Sequence, residues 1–156
     1  MNKLLDHLAT GFQVGRLGYA PGTFGTLWGI PLAWILSRLG PFPYVLGSLA
    51  ITLGSIFVAE WYEVQNPGAH DSSEVVIDEV AGFVTAMALI PFEWQTCVAA
   101  FVLFRLFDIV KPYPISYLDK NIKGGLGVVA DDIAAGVATN ICMQIIVFRT
   151  TFLGVY

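Results

Sequence analysis

The stretch LGPFPYVLGSLAITLGSIFVA, residues 39–59, contains no charged side chain. Wound as an α-helix at about 1.5 Å per residue, it reaches roughly the 30 Å of a bilayer's hydrocarbon core. It therefore reads as a membrane-spanning helix, and the rest of the chain can be placed around it. Residues 17–37 are equally uncharged, but Pro21, Gly22 and Pro31 interrupt them, so a usable helix begins near Phe24 and is short or kinked. Gly40, Pro41 and Pro43 make the turn between the two. Downstream, uncharged runs at 80–92 and 94–104 flank Pro91 and Glu93, and each is too short to span alone, which suits a re-entrant helical hairpin. Residues 133–148 form a last uncharged helix, apolar all round as a helix in lipid should be. The fold class expected is all-α: one domain over residues 1–156, a compact membrane-embedded helical bundle with short or re-entrant helices and a polar site at one end.

Composition agrees. Hydrophobic residues make up 56% of the chain, charged residues 13%, and the mean hydropathy is +0.69, leaving too few polar side chains to cover a water-facing surface. A formal charge of -4 with only eight Lys and Arg argues against nucleic acid as a partner. Cys97 and Cys142 lack CxxC spacing and sit in apolar sequence, as small buried hydrophobes do. The opening MNKLLDHLATGFQVGRLG has no uninterrupted apolar core before a small-residue cleavage site, so it does not resemble a removed signal peptide. If 24–59 and 80–104 are two hairpins, Lys3, Arg16, Arg105, Lys111, Lys120 and Lys123 share one face and Arg38 and Arg149 the other. The richer face is then cytoplasmic.

Four clusters could carry chemistry. In HDSSEVVIDEVAG, residues 70–82, Asp71 and Asp78 are seven apart, two turns along one face of a helix, with Glu79 turned about 100° away. A solvated helix start with Asp71 or Ser72 as N-cap is the plain alternative, although the Asp78-Glu79 pair leads straight into apolar sequence. In FRLFDIVKPYP, residues 104–114, Arg105, Asp108 and Lys111 are spaced by three on a helix that should end near Pro112. Such a stripe suits a phosphate with its metal, or else a structural Arg-Asp pair with Lys111 snorkelling. The third cluster runs from Asp119 through Lys123-Gly124-Gly125-Leu126-Gly127 to Asp131-Asp132, where one aspartate caps the last helix and the other faces the site. The fourth, GYAPGTFGT at 18–26, offers backbone N–H groups and the Thr23 and Thr26 hydroxyls at a helix start, a natural anion site, or a simple Pro-Gly turn with Thr23 as N-cap.

With only 12 acids in the chain, gathering so many beside apolar segments would be self-repelling without a divalent cation, and all-oxygen ligands suit magnesium rather than zinc. Cation, Arg and Lys around a phosphoryl group are the usual equipment of phosphoryl transfer. Cys97 and Arg105 are eight apart, so there is no Cys-x5-Arg; DxDx[TV], a DG dipeptide and an SGH triplet are also absent.

The segments PGTFGT, IDEVAG and FRLFDIVKPYPISYLDKNIKGGLGVVADDIAAG, in this order, resemble the phosphatidylglycerophosphatase A family, and the similarity extends from the Gly18 loop to the last helix. The resemblance implies a magnesium-dependent, multi-pass hydrolase of the bacterial inner membrane, with its site facing the cytoplasm. It would remove the terminal phosphate of phosphatidylglycerophosphate to give phosphatidylglycerol, with no protein partner expected. The family's shared positions carried over are Pro21, Gly22, Thr23, Asp78, Glu79, Arg105, Asp108, Lys111, Asp119, Asp131 and Asp132, with His70-Asp71 also similar. On this reading Glu79, Asp108, Asp131 and Asp78 hold Mg2+. Arg105 and Lys111 neutralise the phosphate, and Pro21, Gly22, Thr23, Thr26 and Lys123 line the substrate. His70, Asp71, Asp78 or Asp132 would then handle protons. Two rivals stand beside it: a channel or transporter subunit with ion-carrying acids in mid-span, and a related phosphatase acting on another phosphomonoester.

Overall fold

A computed structural model of the chain describes residues 2–66, 72 and 74–149, and every regular element among the described residues is helical. The order is α1 (Lys3–Ala9), a short 3-10 turn (Val14–Leu17), α2 (Pro21–Leu39), α3 (Pro41–Gln65), α4 (Ile77–Ala86), α5 (Trp94–Val110), α6 (Ile115–Asn121) and α7 (Gly124–Arg149). Gly40, at φ 97°, makes the α2–α3 turn as expected from the sequence, but Pro41 and Pro43, assigned to the turn as well, already lie in the first turn of α3.

Three boundaries differ from the sequence reading. First, α2 starts at Pro21, not near Phe24, because proline at the first helical position forfeits only an N–H that would be unpaired anyway. Pro31 lies within its 19 residues without ending it. Second, Glu74, Val75 and Val76 are non-helical and α4 begins only at Ile77, so the two-turn relation between Asp71 and Asp78 is not realised. Asp71 and His70 themselves lie outside the described residues. Third, α7 begins at Gly124 rather than Ile133 and runs 26 residues. A Cβ on Gly125 would collide with Ile56 O and Glu60 N of α3, so this glycine lets two helices touch. Its N–H donates to Glu60 Oε2 at 2.6 Å, anchoring the start of α7. Asp131 and Asp132 consequently sit two turns inside the helix and cap nothing.

The centre of the bundle is α4, which packs against α2, α3, α5 and α7 and buries seven of its ten residues. Its crossing with α7 is close because both helices carry glycine there: a Cβ on Gly136 would strike Gly82 O, and one on Gly82 would meet the Phe104 ring and Asp132 O. Phe83, Met87, Phe104 and Met143 fill the core with essentially no exposure, Phe83 and Phe104 meeting edge to face at 6.3 Å. The carbonyls at the far end of α4 are taken up by neighbours, Val84 O by the Tyr44 hydroxyl and Ala86 O and Ala88 O by the Asn140 amide. Cys97 is buried and Cys142 half-buried.

Outward, the helices are apolar. Phe42, Leu46, Leu49, Leu53 and Phe57 form a stripe on α3 whose members are 50–73% exposed. Comparable stripes run down α5 (Trp94, Val98, Val102, Leu106, Ile109) and α7 (Val137, Ile141, Ile145, Phe148). Both α3 and α7 are long and apolar enough to cross a membrane. α2, α4 and α7 start at one end of the bundle, and α3 and α5 return to it.

Candidate active site

At that end the first turn of α4 supplies Asp78 and Glu79, a favourable place for carboxylates because the positive pole of the helix dipole lies there. The last turns of α5 supply Arg105 and Asp108. Lys111 stops α5 in a left-handed conformation, φ 44°, its N–H returning to Phe107 O. α6 contributes Asp119 and α7 contributes Asp131 and Asp132.

These side chains converge. Asp78, Glu79 and Asp132 each offer a carboxylate oxygen within 4.8 Å of the others, and Asp108, Asp131 and Asp132 form a second such group. Arg105 Nη1 donates to Asp108 Oδ2 at 2.6 Å and lies 4.0 Å from Glu79 Oε1. Lys111 Nζ donates to Asp119 Oδ1 at 2.5 Å and Asp131 Oδ2 at 2.6 Å. Lys111 therefore does not snorkel, while the Arg105–Asp108 ion pair is present as its spacing suggested. Asp78, Asp131 and Asp132 are only 8%, 6% and 3% exposed.

Two carboxylates about 4.8 Å apart repel by about 3.5 kcal/mol at an effective dielectric near 20. Burial, then the charges of Glu79 and Asp132, push the Asp78 carboxyl well above its ordinary range, and burial raises Glu79 as well. Burial alone would lower Lys111, but its bonds to Asp119 and Asp131 hold it above the usual lysine value. Among the described residues, Asp78 Oδ1, Glu79 Oε2 and Arg105 Nε are buried without a hydrogen-bond partner. Orphaned carboxylate oxygens in an all-oxygen donor set fit a hard divalent cation.

The first turn of α2 backs onto this cluster. A Cβ on Gly22 would overlap Glu79 Oε1 and come within 2.7–2.9 Å of the Arg105 guanidinium nitrogens, so only glycine permits the approach. Pro21 and Thr23 flank it, half-buried. Thr26 is not offered to a ligand: it is fully buried and its hydroxyl donates to Gly22 O at 2.7 Å, one turn back within α2. Lys123 is exposed in the short link between α6 and α7.

The sequence reading left Asp119 out of the ligand and catalytic sets, and only the pairing with Lys111 shows its place. It also missed the clamp that sets the start of α4. Arg16 holds buried Asp6 of α1 with both Nη atoms, at 2.7 and 3.0 Å, and donates through Nε to Glu74 at 2.8 Å. Tyr62 of α3 donates to the same Glu74 oxygen, and Val76 N–H bonds Ala9 O. The Arg16 and Tyr62 hydrogen bonds hold the Glu74 carboxyl below its ordinary range.

The Phosphatidylglycerophosphatase A family profile matches residues 7–147. The chain is 40% identical over 134 residues to the Phosphatidylglycerophosphatase A of Escherichia coli (strain K12), covering 83% of this chain and 76% of that protein. It is 40% identical over 133 residues to the Haemophilus influenzae protein of the same name, covering 83% and 80%. A Bacteroides thetaiotaomicron protein, provisionally named phosphatidylinositol-3-phosphatase, is 36% identical over 148 residues, covering 88% and 90%. No solved structure matches the chain.

Proposed function

We propose, because this chain belongs to the phosphatidylglycerophosphatase A family and is a phosphatase, that it hydrolyses the terminal phosphomonoester of phosphatidylglycerophosphate to phosphatidylglycerol and inorganic phosphate. The observation that carries the reading is the convergence of two buried acid groups with Arg105 and Lys111 at one end of an outwardly apolar bundle. Glu79, Asp108, Asp131 and Asp78 would hold Mg2+. Bound there, the ion supplies charge for the phosphoryl oxygens and acidifies a water.

The chain's own residues do the rest. Arg105 carries five N–H donors and spends one on Asp108, so the others are available to grip phosphate. Lys111 adds a second positive charge beside Asp119 and Asp131. Hydrolysis moves the phosphoryl group from the glycerol oxygen to water: the water gives up a proton and the departing alkoxide takes one. His70, Asp71 or a carboxylate that holds no metal is assigned to that proton traffic. Pro21, Gly22, Thr23 and Lys123 border the headgroup. Thr26 has no part in it.

The same reading places the single domain, residues 1–156, in the bacterial inner membrane as a multi-pass protein with its site toward the cytoplasm. The apolar stripes of α3, α5 and α7 would face lipid. The basic residues near the site, set against Arg38 and Arg149 at the far helix ends, support that orientation. Asp131 and Asp132 then lie about 10–12 Å into α7, a depth suited to a recessed lipid phosphate. The Bacteroides relative's name favours one second reading, a different phosphorylated lipid as substrate.

Phosphate release from phosphatidylglycerophosphate in detergent micelles, with Mg2+ or with chelator, for wild type and Asp131→Asn, tests the assignment. Magnesium-dependent release lost in the variant is the expected result. Release from phosphatidylinositol 3-phosphate alone would move the substrate, and none from any lipid phosphate would leave the channel or transporter alternative.

A further inference from the structure

Among the described residues, six carboxylates, Asp78, Glu79, Asp108, Asp119, Asp131 and Asp132, meet two cationic side chains, Arg105 and Lys111, in this site. With all ionised, the net charge is −4, which one divalent ion halves and two cancel. The acids also fall into two groups that have a single member in common, Asp132. A carboxylate has two oxygens and can present one to each of two ions.

The two groups are not equivalent. In the second, Asp108 is already paired with Arg105 at 2.6 Å and Asp131 with Lys111 at 2.6 Å, so a cation entering there must compete with bound positive charge. In the first, Asp78 is 8% exposed, its Oδ1 is buried with no hydrogen-bond partner among the described residues, and Glu79 Oε2 is likewise orphaned. The nearest positive group is the Arg105 guanidinium, 4.0 Å from Glu79.

We infer that the site takes two divalent cations in sequence: one bound tightly by Asp78, Glu79 and Asp132, and a second bound weakly by Asp108, Asp131 and Asp132, with Asp132 shared. The inference rests on the metal-dependent phosphatase reading above and deepens it. A phosphate group that draws Arg105 and Lys111 toward itself leaves Asp108 and Asp131 free for the second ion. Phosphate and the second cation therefore bind with positive coupling, each tightening the other by the same factor. The first cation, whose ligands Asp78 and Glu79 have no hydrogen-bonded cation among the described residues and only a 4.0 Å contact between Glu79 and Arg105, should respond far less to phosphate.

The test uses the full chain in detergent, stripped of metal and titrated with Mn2+ while its electron paramagnetic resonance spectrum is recorded. Two ions per chain are expected, their affinities separated by at least tenfold, with the signal of an isolated ion giving way to that of a coupled pair as the second binds. Inorganic phosphate should tighten only the second step, a result on wild-type protein that depends on no variant folding. Asp78→Asn should weaken the first step, Asp108→Asn only the second, and Asp132→Asn both. A single saturating ion, two uncoupled ions, or phosphate acting on the first step overturns the inference. Two coupled ions in a protein that releases phosphate from no lipid would uphold the metal pair and sink the substrate. One ion with full phosphatidylglycerophosphate hydrolysis would do the reverse.

Discussion

Replacing Asp78 by Asn removes one charge from a buried group of three acids while nearly preserving shape. Without metal, wild type carries a carboxylate oxygen with no partner beside two like charges, and burial and those charges raise its pKa. A carboxyl raised in the folded state favours folding at pH below its ordinary value and opposes it above. The Asn variant should therefore be the more stable protein at neutral pH, and the gap should close as pH falls below the usual aspartate range. Repulsion of about 3.5 kcal/mol per close pair is an upper bound, because the folded protein takes up a proton to escape it. The orphaned-group cost of about 1–3 kcal/mol is the better guide. At about 2–4 °C per kcal/mol for a chain of this size, Asp78→Asn should raise Tm by roughly 2–12 °C in EDTA. Magnesium should reverse the order: a ligand at a hundred times its Kd stabilises wild type by about 2.7 kcal/mol, and the variant has lost a ligand. Differential scanning fluorimetry in detergent, with EDTA and with a magnesium series, reads both effects. A lower Tm for the variant in EDTA, or an equal magnesium shift in both proteins, refutes an uncompensated charge at this position.

Gly22→Ala should cut turnover about tenfold or more and lower stability by about 1–3 kcal/mol, because its Cβ must displace Glu79 or Arg105; kinetics beside a thermal melt will show both. Lys111→Met, which strips the cation from Asp119 and Asp131, should lower kcat/KM by about 10²–10³ fold, with Lys111→Arg restoring part of it in the micelle assay. Glu74→Gln should lower Tm slightly at neutral pH. Because Glu74 is held below the ordinary glutamate range in the folded protein, that difference should vanish as pH falls through and below that range. The effect is small because the side chain is 43% exposed.

Much of the architecture follows from charge and length alone. An uncharged run such as 39–59 has no choice but an apolar helix, and α3 follows it, extended only by the amphipathic turn that brings Glu60 and Tyr62 to the site end. The α4–α5 hairpin was legible from the break at Pro91 and Glu93. Glycine was the misleading letter. At 124, 125 and 127 it signals a loop by local propensity, yet Gly125 is helical because α3 comes too close for any side chain, a fact written in no window of nearby residues. The seven-residue α1 was likewise invisible, since its place depends on Arg16 reaching Glu74, 58 positions away. For the site, residue types alone nominated most of its acids and both its cations. Which acids group together, that Asp132 belongs to both groups, that Asp119 shares Lys111 with Asp131, and that Thr26 turns inward were decided by helix packing. Ligand geometry is a distance between side chains on different helices, and only the bundle that brings those helices together can set it.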